Sequence, residues 1–144
     1  MNRKLFFALM LGSIILISSG CKYEEGPIAS LVSRTDRIAQ VWVASAATNA
    51  DGEEDLDRWD NWEWDFQASG DVVATTKLLN VPINFSGEWN LLDQDQNFQV
   101  LLKDGLGATS FDYEYEIIKL TQTEFWLRNV DDADETLYLV VKEE

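Results

Sequence analysis

The feature that most constrains this fold is a strand-like pattern that returns eight times along the chain, in most cases as an alternation of apolar and polar side chains. In residues 62–67, for example, Trp62, Trp64 and Phe66 alternate with charged or polar neighbours. Successive side chains of a β-strand point to opposite faces, so this pattern predicts a strand with one buried face. The other alternating or strand-like segments are residues 38–44, 72–78, 89–91, 98–103, 111–117, 125–128 and 137–141.

The connections between these segments predict how the strands are arranged. Residues 68–71, 93–97 and 104–107 are short and rich in turn-forming residues. No long helical segment separates the strands, which excludes a parallel sheet with crossover helices. An open meander would leave two unpaired edges, whereas eight strands close into a barrel. We therefore predict an all-β fold, an eight-stranded antiparallel up-and-down barrel.

Two further details follow from local sequence. Ile28, Leu31 and Val32 have helical spacing after Pro27, which predicts a short N-terminal helix over residues 28–36. Pro82 cannot donate a ladder hydrogen bond, so residues 80–82 are predicted to interrupt the strand pattern.

The N-terminus predicts export. Basic residues at positions 3–4 precede an apolar run over residues 5–17, and small residues at 18–20 precede Cys21, the only cysteine. This layout is typical of a signal peptide, here residues 1–20, and the run is shorter than the ~20 residues that span a bilayer. It resembles the lipobox of bacterial lipoproteins, although Ser18 stands where that family usually has Leu. The resemblance implies lipidation of Cys21; the alternatives are an ordinary signal peptide and an uncleaved anchor.

The segment after Cys21 extends this interpretation. Residues 21–27 are expected to form a lipidated tether and residues 28–144 the barrel domain. The acidic pair Glu24 and Glu25 resembles the surface-export signal of Bacteroidota lipoproteins. We therefore expect a cell-envelope protein held to the outer membrane by its lipid, and the acidic pair implies display at the cell surface.

Charge excludes several partners. The formal net charge is −15, and loss of Arg3 and Lys4 with a leader leaves nine basic residues against 26 acidic ones, or −17. Nucleic acid and direct adhesion to anionic lipid are disfavoured, because both need clustered Lys and Arg. The expected partners are the membrane, through the lipid, and a small hydrophobic ligand, with the chain itself a monomer.

Catalysis is not predicted. The chain has no His, and its one Cys is the expected lipid site, so the usual nucleophile pairs and zinc ligands are absent. Strand carboxylates such as Glu63, Asp65, Glu114 and Glu116 fall on charged, solvated faces. The acidic residues 51–57 do not fit an EF-hand loop, because its first and last ligand positions would be Ala47 and Arg58. We predict no catalytic residue, metal or cofactor.

Four short motifs carry a resemblance to a family. They are residues 66–72, 87–91, 117–121 and 125–127, and together they resemble the lipocalin-like lipoproteins of Bacteroidota. The resemblance covers residues 38–142 and implies a barrel with a hydrophobic ligand. True lipocalins carry Gly-x-Trp on the first strand, whereas here it is mid-chain, at Gly87 to Trp89. The resemblance therefore implies Trp42 for the barrel floor and Arg128 as the arginine packed over it.

The aromatic residues are the candidate ligand site. Six Trp are many for a domain of this size, and the predicted ligand-binding residues are Trp62, Trp64, Trp89, Tyr113 and Tyr115, with Tyr115 near the rim. Trp59 lies outside the strand and is predicted to be the most accessible ring. The same aromatics could instead fill the barrel, which would favour a surface module that binds glycan or protein. A cavity of ~300 Å³ or more would distinguish the two.

Overall fold

The computed structural model describes residues 24–25 and 31–143, and these residues form a closed barrel. A 3₁₀ turn at Leu56–Arg58 lies in the first long connection. The helix and strands, in chain order, are β1 Glu24–Glu25, α1 Arg34–Ile38, β2 Val41–Thr48, β3 Glu63–Phe66, β4 Asp71–Leu78, β5 Val81–Leu92, β6 Asn97–Lys103, β7 Thr109–Leu120, β8 Glu124–Asn129 and β9 Thr136–Val141.

The sheet closes on itself in simple chain order. Strands β2 to β9 each pair antiparallel with the next. Strand β9 then pairs with β2 from Trp42 opposite Val141 to Thr48 opposite Thr136. The predicted eight-stranded antiparallel up-and-down barrel is confirmed. Closure gives every long strand two neighbours, which removes the edges that an open sheet would expose.

The barrel has two different ends. The open end carries the connections at residues 49–62, 79–80, 104–108 and 130–135, and the closed end carries those at residues 67–70, 93–96 and 121–123. Helix α1 leads into β2 and therefore also lies at the closed end. The short strand β1 pairs in parallel with the last two residues of β7, Lys119 and Leu120, at that same end.

The closed end is sealed by α1 and by Trp42. Ile38 and Trp42 are both fully buried, and the Trp42 indole donates a hydrogen bond of 2.8 Å to the Ile38 carbonyl. The Arg37 side chain is 5% exposed, and its guanidinium donates to the Leu120 carbonyl at 3.0 Å. Trp42 therefore occupies the floor position that the resemblance implies.

Arg128 does not pack over Trp42, so that expectation was wrong. Its guanidinium pairs with Glu116 at 2.7 Å, and both side chains are more than a third exposed. The reason is strand parity, because Arg128 follows the inward-facing Leu127 by one residue and must point outward. The arginine at the closed end is Arg37, which comes from the helix.

The predicted helix was placed too early, and the predicted break at residues 80–82 is confirmed only for Asn80, which lies in the β4–β5 turn. The helix begins later, because the Ser33 hydroxyl caps it by accepting from the Asp36 backbone N–H, and residues 28–30 lie outside the described residues. Pro82 lies within β5, opposite Lys77. The pairing of β5 with β6 begins only at Ser86, so the missing N–H of Pro82 costs no ladder bond.

The inward face agrees with the alternation. Every aromatic or aliphatic side chain predicted to point inward is buried or packs against the buried core. These residues are Trp42, Trp62, Trp64, Phe66, Trp89, Leu91, Phe98, Val100, Leu102, Tyr113, Tyr115, Ile117, Phe125, Leu127, Leu137 and Leu139.

Gly87 marks a close crossing of strands β5 and β6. A Cβ at this position would lie 1.8 Å from the carbonyl oxygen of Leu101, far inside van der Waals contact. Only glycine allows the two backbones to approach in this way. The mid-chain Gly-x-Trp motif therefore has a structural explanation, with Gly87 at the crossing and Trp89 inside the barrel.

Candidate ligand site at the open end of the barrel

A continuous column of aromatic rings fills the barrel from floor to mouth. Near the closed end, Trp42 contacts Phe125 at a centroid distance of 5.7 Å, and Phe125 contacts Phe98 at 5.0 Å. Trp64 stacks on Phe66 at 6.2 Å, in the middle of the barrel. Aromatic pairs at these distances stabilise a core beyond the area they bury.

The column leaves almost no empty space inside. The interior void has a volume of about 10 Å³ and is lined by Trp64, Tyr115 and six further core residues. That is about the space that one water molecule needs, and small-molecule sites usually exceed ~300 Å³. A ligand therefore enters this barrel only if side chains at the open end move.

Trp64 carries one of the two buried side-chain polar atoms that lack a partner in the described part of the chain; the other is Gln96 Oε1, in a closed-end connection. The Trp64 side chain is 4% exposed, and its indole N–H makes no hydrogen bond within the described part of the chain. Leaving a buried donor unsatisfied costs about 1–3 kcal/mol, so such groups are rare in native structures. By contrast, the equally buried Trp89 donates to the Gln67 carbonyl at 2.9 Å.

Tyr115 places a second donor beside the same void. Burial, and next the nearby Glu135 carboxylate, raises the pKa of its phenol well above the ordinary value of 10.0. The phenol therefore keeps its proton over the whole physiological range. The walls of the void are thus almost wholly apolar, and Trp64 and Tyr115 are the two lining residues whose side chains carry a hydrogen-bond donor.

At the mouth, a group of half-buried rings covers the void. We call Trp62, Phe85 and Phe111 the mouth cluster. Trp62 stacks on Phe85 at 5.6 Å and meets Phe111 edge-on at 5.6 Å, while Phe85 and Phe111 are 5.5 Å apart. All three are partly exposed, so they are the rings that a ligand from solvent would meet first.

The long connection from β2 to β3 forms a lid beside this cluster. Its 3₁₀ turn places Trp59 against Trp62 and Trp64, with centroid distances of 6.1 and 6.0 Å. Trp59 is only 5% exposed, so the expectation that it is the most accessible ring was wrong. The alternation gave no sign of this, because a residue outside a strand has no parity.

Arg58 fastens the lid to the rest of the open end. Its guanidinium lies 3.4 Å from a Glu135 carboxylate oxygen and donates to the Tyr113 hydroxyl at 3.4 Å. It also sits 4.9 Å from the centre of the Trp59 ring. The arginine is 45% exposed, so these contacts stabilise the closed lid only weakly.

The structure separates the predicted ligand-binding residues into two groups. Trp62 and Tyr113 lie at the open end, and Trp64 and Tyr115 lie directly below them around the void. Tyr115 is only 3% exposed, so it lies deeper than the rim position expected for it. Trp89 lies near the closed end, where its ring contacts Phe66 and Phe98.

Sequence reasoning did not select Phe85, Phe111 or Arg58 as site residues. Phe111 shares the parity of Tyr113, so the alternation could have identified it. Phe85 lies on the part of β5 that Pro82 was expected to interrupt. Arg58 could not be identified without knowing how the lid folds, because its partner Glu135 is 77 residues away in sequence.

Other kinds of site receive no support from the described residues. Within residues 24–25 and 31–143, no group of three or more His, Cys, Asp or Glu side chains could hold a metal ion. Across the same ranges, no helix has the length and apolar character needed to cross a membrane. The outer wall does carry a shallow groove of about 690 Å³, lined by Glu63, Asp65, Thr75 and neighbouring residues.

The sequence matches no protein-family model and no curated protein. Among solved structures, a lipocalin-like protein from Bacteroides uniformis is similar, with a TM-score of 0.60 and 15% sequence identity. The match covers 74% of this chain and 99% of that one. Likeness at this identity shows the fold alone. The resemblance predicted from the sequence is confirmed at that level, and the chain has a lipocalin-like fold.

Proposed function

We propose that this chain is a lipid-anchored binding module of the cell envelope that takes a small, neutral, amphipathic ligand through the open end of its barrel. Cys21 and the leader-like residues before it support the anchor. The lipocalin-like fold supports binding in the barrel. The observation that carries the ligand proposal is the buried indole N–H of Trp64, which has no partner among the described residues.

The chemistry around the void defines the class of ligand. Aromatic and aliphatic walls favour an apolar body. The Trp64 indole and the protonated Tyr115 phenol favour one hydrogen-bond acceptor on that body, such as a carbonyl or a hydroxyl oxygen. A carboxylate is disfavoured, because the Glu135 carboxylate is close enough to influence the Tyr115 phenol.

Entry requires the lid and the mouth cluster to move. The side chains of Trp62, Phe85 and Phe111 are half-buried, and exposed or partly exposed aromatic rings change rotamer far faster than a fold opens. Arg58 holds the lid through exposed contacts, which are weak. We infer that ligand displaces the mouth cluster and fills the space that its rings and Trp59 now occupy.

A matched set of probes tests this proposal. The probes are 2-acetylnaphthalene, which has a carbonyl acceptor, 2-ethylnaphthalene, which has the same shape without it, and 2-naphthoate, which is an anion. We expect 2-acetylnaphthalene to quench Trp emission and raise the melting temperature by mass action. Its affinity should exceed that of 2-ethylnaphthalene by about tenfold, which corresponds to ~1.4 kcal/mol.

The variant Trp64→Phe tests whether the probe's carbonyl oxygen accepts a hydrogen bond from the Trp64 indole. It removes the indole N–H and keeps an aromatic ring, so the preference for the carbonyl probe should fall to within about twofold. If no probe changes emission or melting temperature, the ligand proposal fails. If binding occurs with the same preference in Trp64→Phe, the ligand enters elsewhere.

The filled interior favours a second candidate, a surface module whose core is only structural. The void of about 10 Å³ and the outer groove of about 690 Å³ are the observations behind it. Trp59 cannot be its exposed ring, because that side chain is buried. A negative result with all three probes would make this candidate the preferred one, with Glu63 and Asp65 in the groove as the first residues to test.

A further inference from the structure

We infer that the closed end of the barrel faces the membrane to which the chain is anchored, and that the open end is presented away from it. The inference rests on the proposed lipidation of Cys21. It goes beyond the ligand proposal, because it states which surface of the barrel contacts lipid. Two independent observations carry it, the position of β1 and the distribution of charge between the two ends.

The first observation is that β1 fixes the chain near the closed end, only a few residues after the lipid site. Glu24 pairs with Lys119 and Glu25 pairs with Leu120, the last residues of β7. Glu24 is three positions after Cys21, and a fully extended chain covers that spacing with at most about 11 Å. Because β1 runs parallel to β7, the chain reaches Glu24 from the side of the open end. Even so, Cys21 can lie no more than about 11 Å from Glu24, which keeps the lipid beside the half of the β7 wall that is nearer the closed end.

The open end is too far away to contact the same bilayer in an upright barrel. Strand β7 runs from Thr109 to Leu120, a path of about 36 Å at ~3.3 Å per residue. A strand tilt of about 35–45° reduces this to a height of roughly 25–30 Å. Leu106, in the open-end connection before β7, thus lies about two to three tether lengths from the closed end.

The second observation is a strong difference in charge between the two ends. The four open-end connections hold eleven acidic residues and one basic residue, Arg58. The closed end, counted with β1, α1 and residues 142–143, holds six acidic and three basic residues. An anionic lipid surface would repel the open end much more strongly than the closed end.

The open end also carries an exposed apolar surface that could contact lipid. The tip of the β4–β5 hairpin exposes Leu78, Leu79 and Val81, at 63%, 90% and 61%. These side chains could contact lipid only if the barrel lay on its side or inverted. The short tether opposes inversion, so the hairpin tip is expected to remain in solvent.

Site-specific fluorescence quenching tests the orientation with the full-length chain. Lipidation consumes Cys21, the only cysteine, so an introduced cysteine becomes the single thiol for a fluorophore. We would compare Gln122→Cys at the closed end with Leu106→Cys and Ala133→Cys at the open end, since all three positions are exposed. Each protein is made in a lipoprotein-competent bacterium and placed in phosphatidylcholine vesicles that carry a headgroup nitroxide quencher.

We expect the Gln122 label to be quenched at least twofold more than either open-end label. Equal or reversed quenching, in protein that floats with the vesicles, would contradict the proposed orientation but agree with the lipid anchor. Protein that does not float, with an unmodified Cys21 by intact mass, would overturn the anchor and the orientation together. Unequal quenching of the Leu106 and Ala133 labels, with either above Gln122, would show a barrel lying on its side.

Discussion

The sharpest stability prediction compares two tryptophans that are equally buried but differ in one hydrogen bond. Trp64 and Trp89 are both 4% exposed inside the same barrel. The Trp89 indole donates to the Gln67 carbonyl at 2.9 Å, whereas the Trp64 indole has no partner in the described residues. Replacing each with Phe removes the same atoms. The difference in stability between the two variants therefore reports mainly whether the indole N–H is hydrogen-bonded.

Each Trp→Phe change should cost about 1–2 kcal/mol in lost packing. Trp89→Phe also loses a hydrogen bond worth about 1 kcal/mol, for a total near 2–3 kcal/mol. Trp64→Phe relieves an unsatisfied donor that costs about 1–3 kcal/mol, so its net effect should be close to zero.

Urea unfolding followed by circular dichroism measures both free energies. Trp89→Phe should lower the free energy of unfolding by about 2–3 kcal/mol more than Trp64→Phe does. The m-values should be unchanged, since neither variant alters the surface exposed on unfolding. Equal losses in the two variants would refute the reasoning, because they would show that the Trp64 N–H is satisfied in solution.

Three other predictions concern the crossing of strands, the buried phenol and the lid. Gly87→Ala should lower the free energy of unfolding by about 3 kcal/mol or more, because a Cβ would meet the Leu101 carbonyl, whereas Gly105→Ala, with open space around it, should change it by less than about 0.5 kcal/mol. Stability should fall as the pH rises above about 10, because the Tyr115 phenol then ionises in the unfolded chain but not in the folded one, where its pKa is raised. The free energy of unfolding should fall with a slope that approaches 1.36 kcal/mol per pH unit. Urea midpoints of Tyr115→Phe should not show this pH dependence. Arg58→Ala should speed association of 2-acetylnaphthalene severalfold in stopped-flow quenching, because it releases the lid from Glu135, while Arg34→Ala, which breaks the pair with Asp95 at the closed end, should leave that rate unchanged. Each of three results would contradict the corresponding contact. They are an association rate in Arg58→Ala no faster than in the wild type, a wild-type free energy of unfolding that does not change above pH 10, and a Gly87→Ala variant as stable as the wild type.

The strands and the inward face were predictable, because a two-residue period is a local property. Trp62, Trp64 and Phe66 alternate with polar residues, and any strand that buries one face must place them together. All the inward residues that this alternation predicted, from Trp42 to Leu139, lie in the core or pack against it, but Val72, Ala74 and Phe85 were not among them. Closure followed from the number of strands and the absence of crossover helices.

The errors occurred where pairing or a non-strand turn decides the outcome. Pro82 lies in a strand because β6 ends before reaching it, which depends on register and not on local sequence. Trp59 is buried because a 3₁₀ turn folds it over the barrel, and no periodicity marks such a turn. The resemblance placed Arg128 inside the barrel, whereas the alternation along its strand places it on the outer face. The structure agrees with the alternation.

Whether the interior is filled was also beyond sequence reasoning. The six Trp predicted either a lined cavity or a packed core, and these differ by how the rings stack. Trp62 stacks on both Trp64 and Phe85, which closes the mouth in this conformation. The alternation shows which side chains point inward, but ring stacking depends on rotamers that no sequence pattern encodes.

The most direct test of the central claim is the indole N–H spectrum of the protein with 2-acetylnaphthalene. In a proton–nitrogen correlation spectrum each Trp gives one indole signal, and Trp64→Phe identifies the signal of Trp64 by its loss. The indoles of Trp42 and Trp89 already donate to backbone carbonyls, so their signals serve as internal controls. We predict that saturating 2-acetylnaphthalene shifts the Trp64 signal downfield, as expected for a new hydrogen bond, and moves the two control signals far less. A Trp64 signal that stays in place at saturation would contradict the claim that this barrel binds a ligand at its unpaired donor.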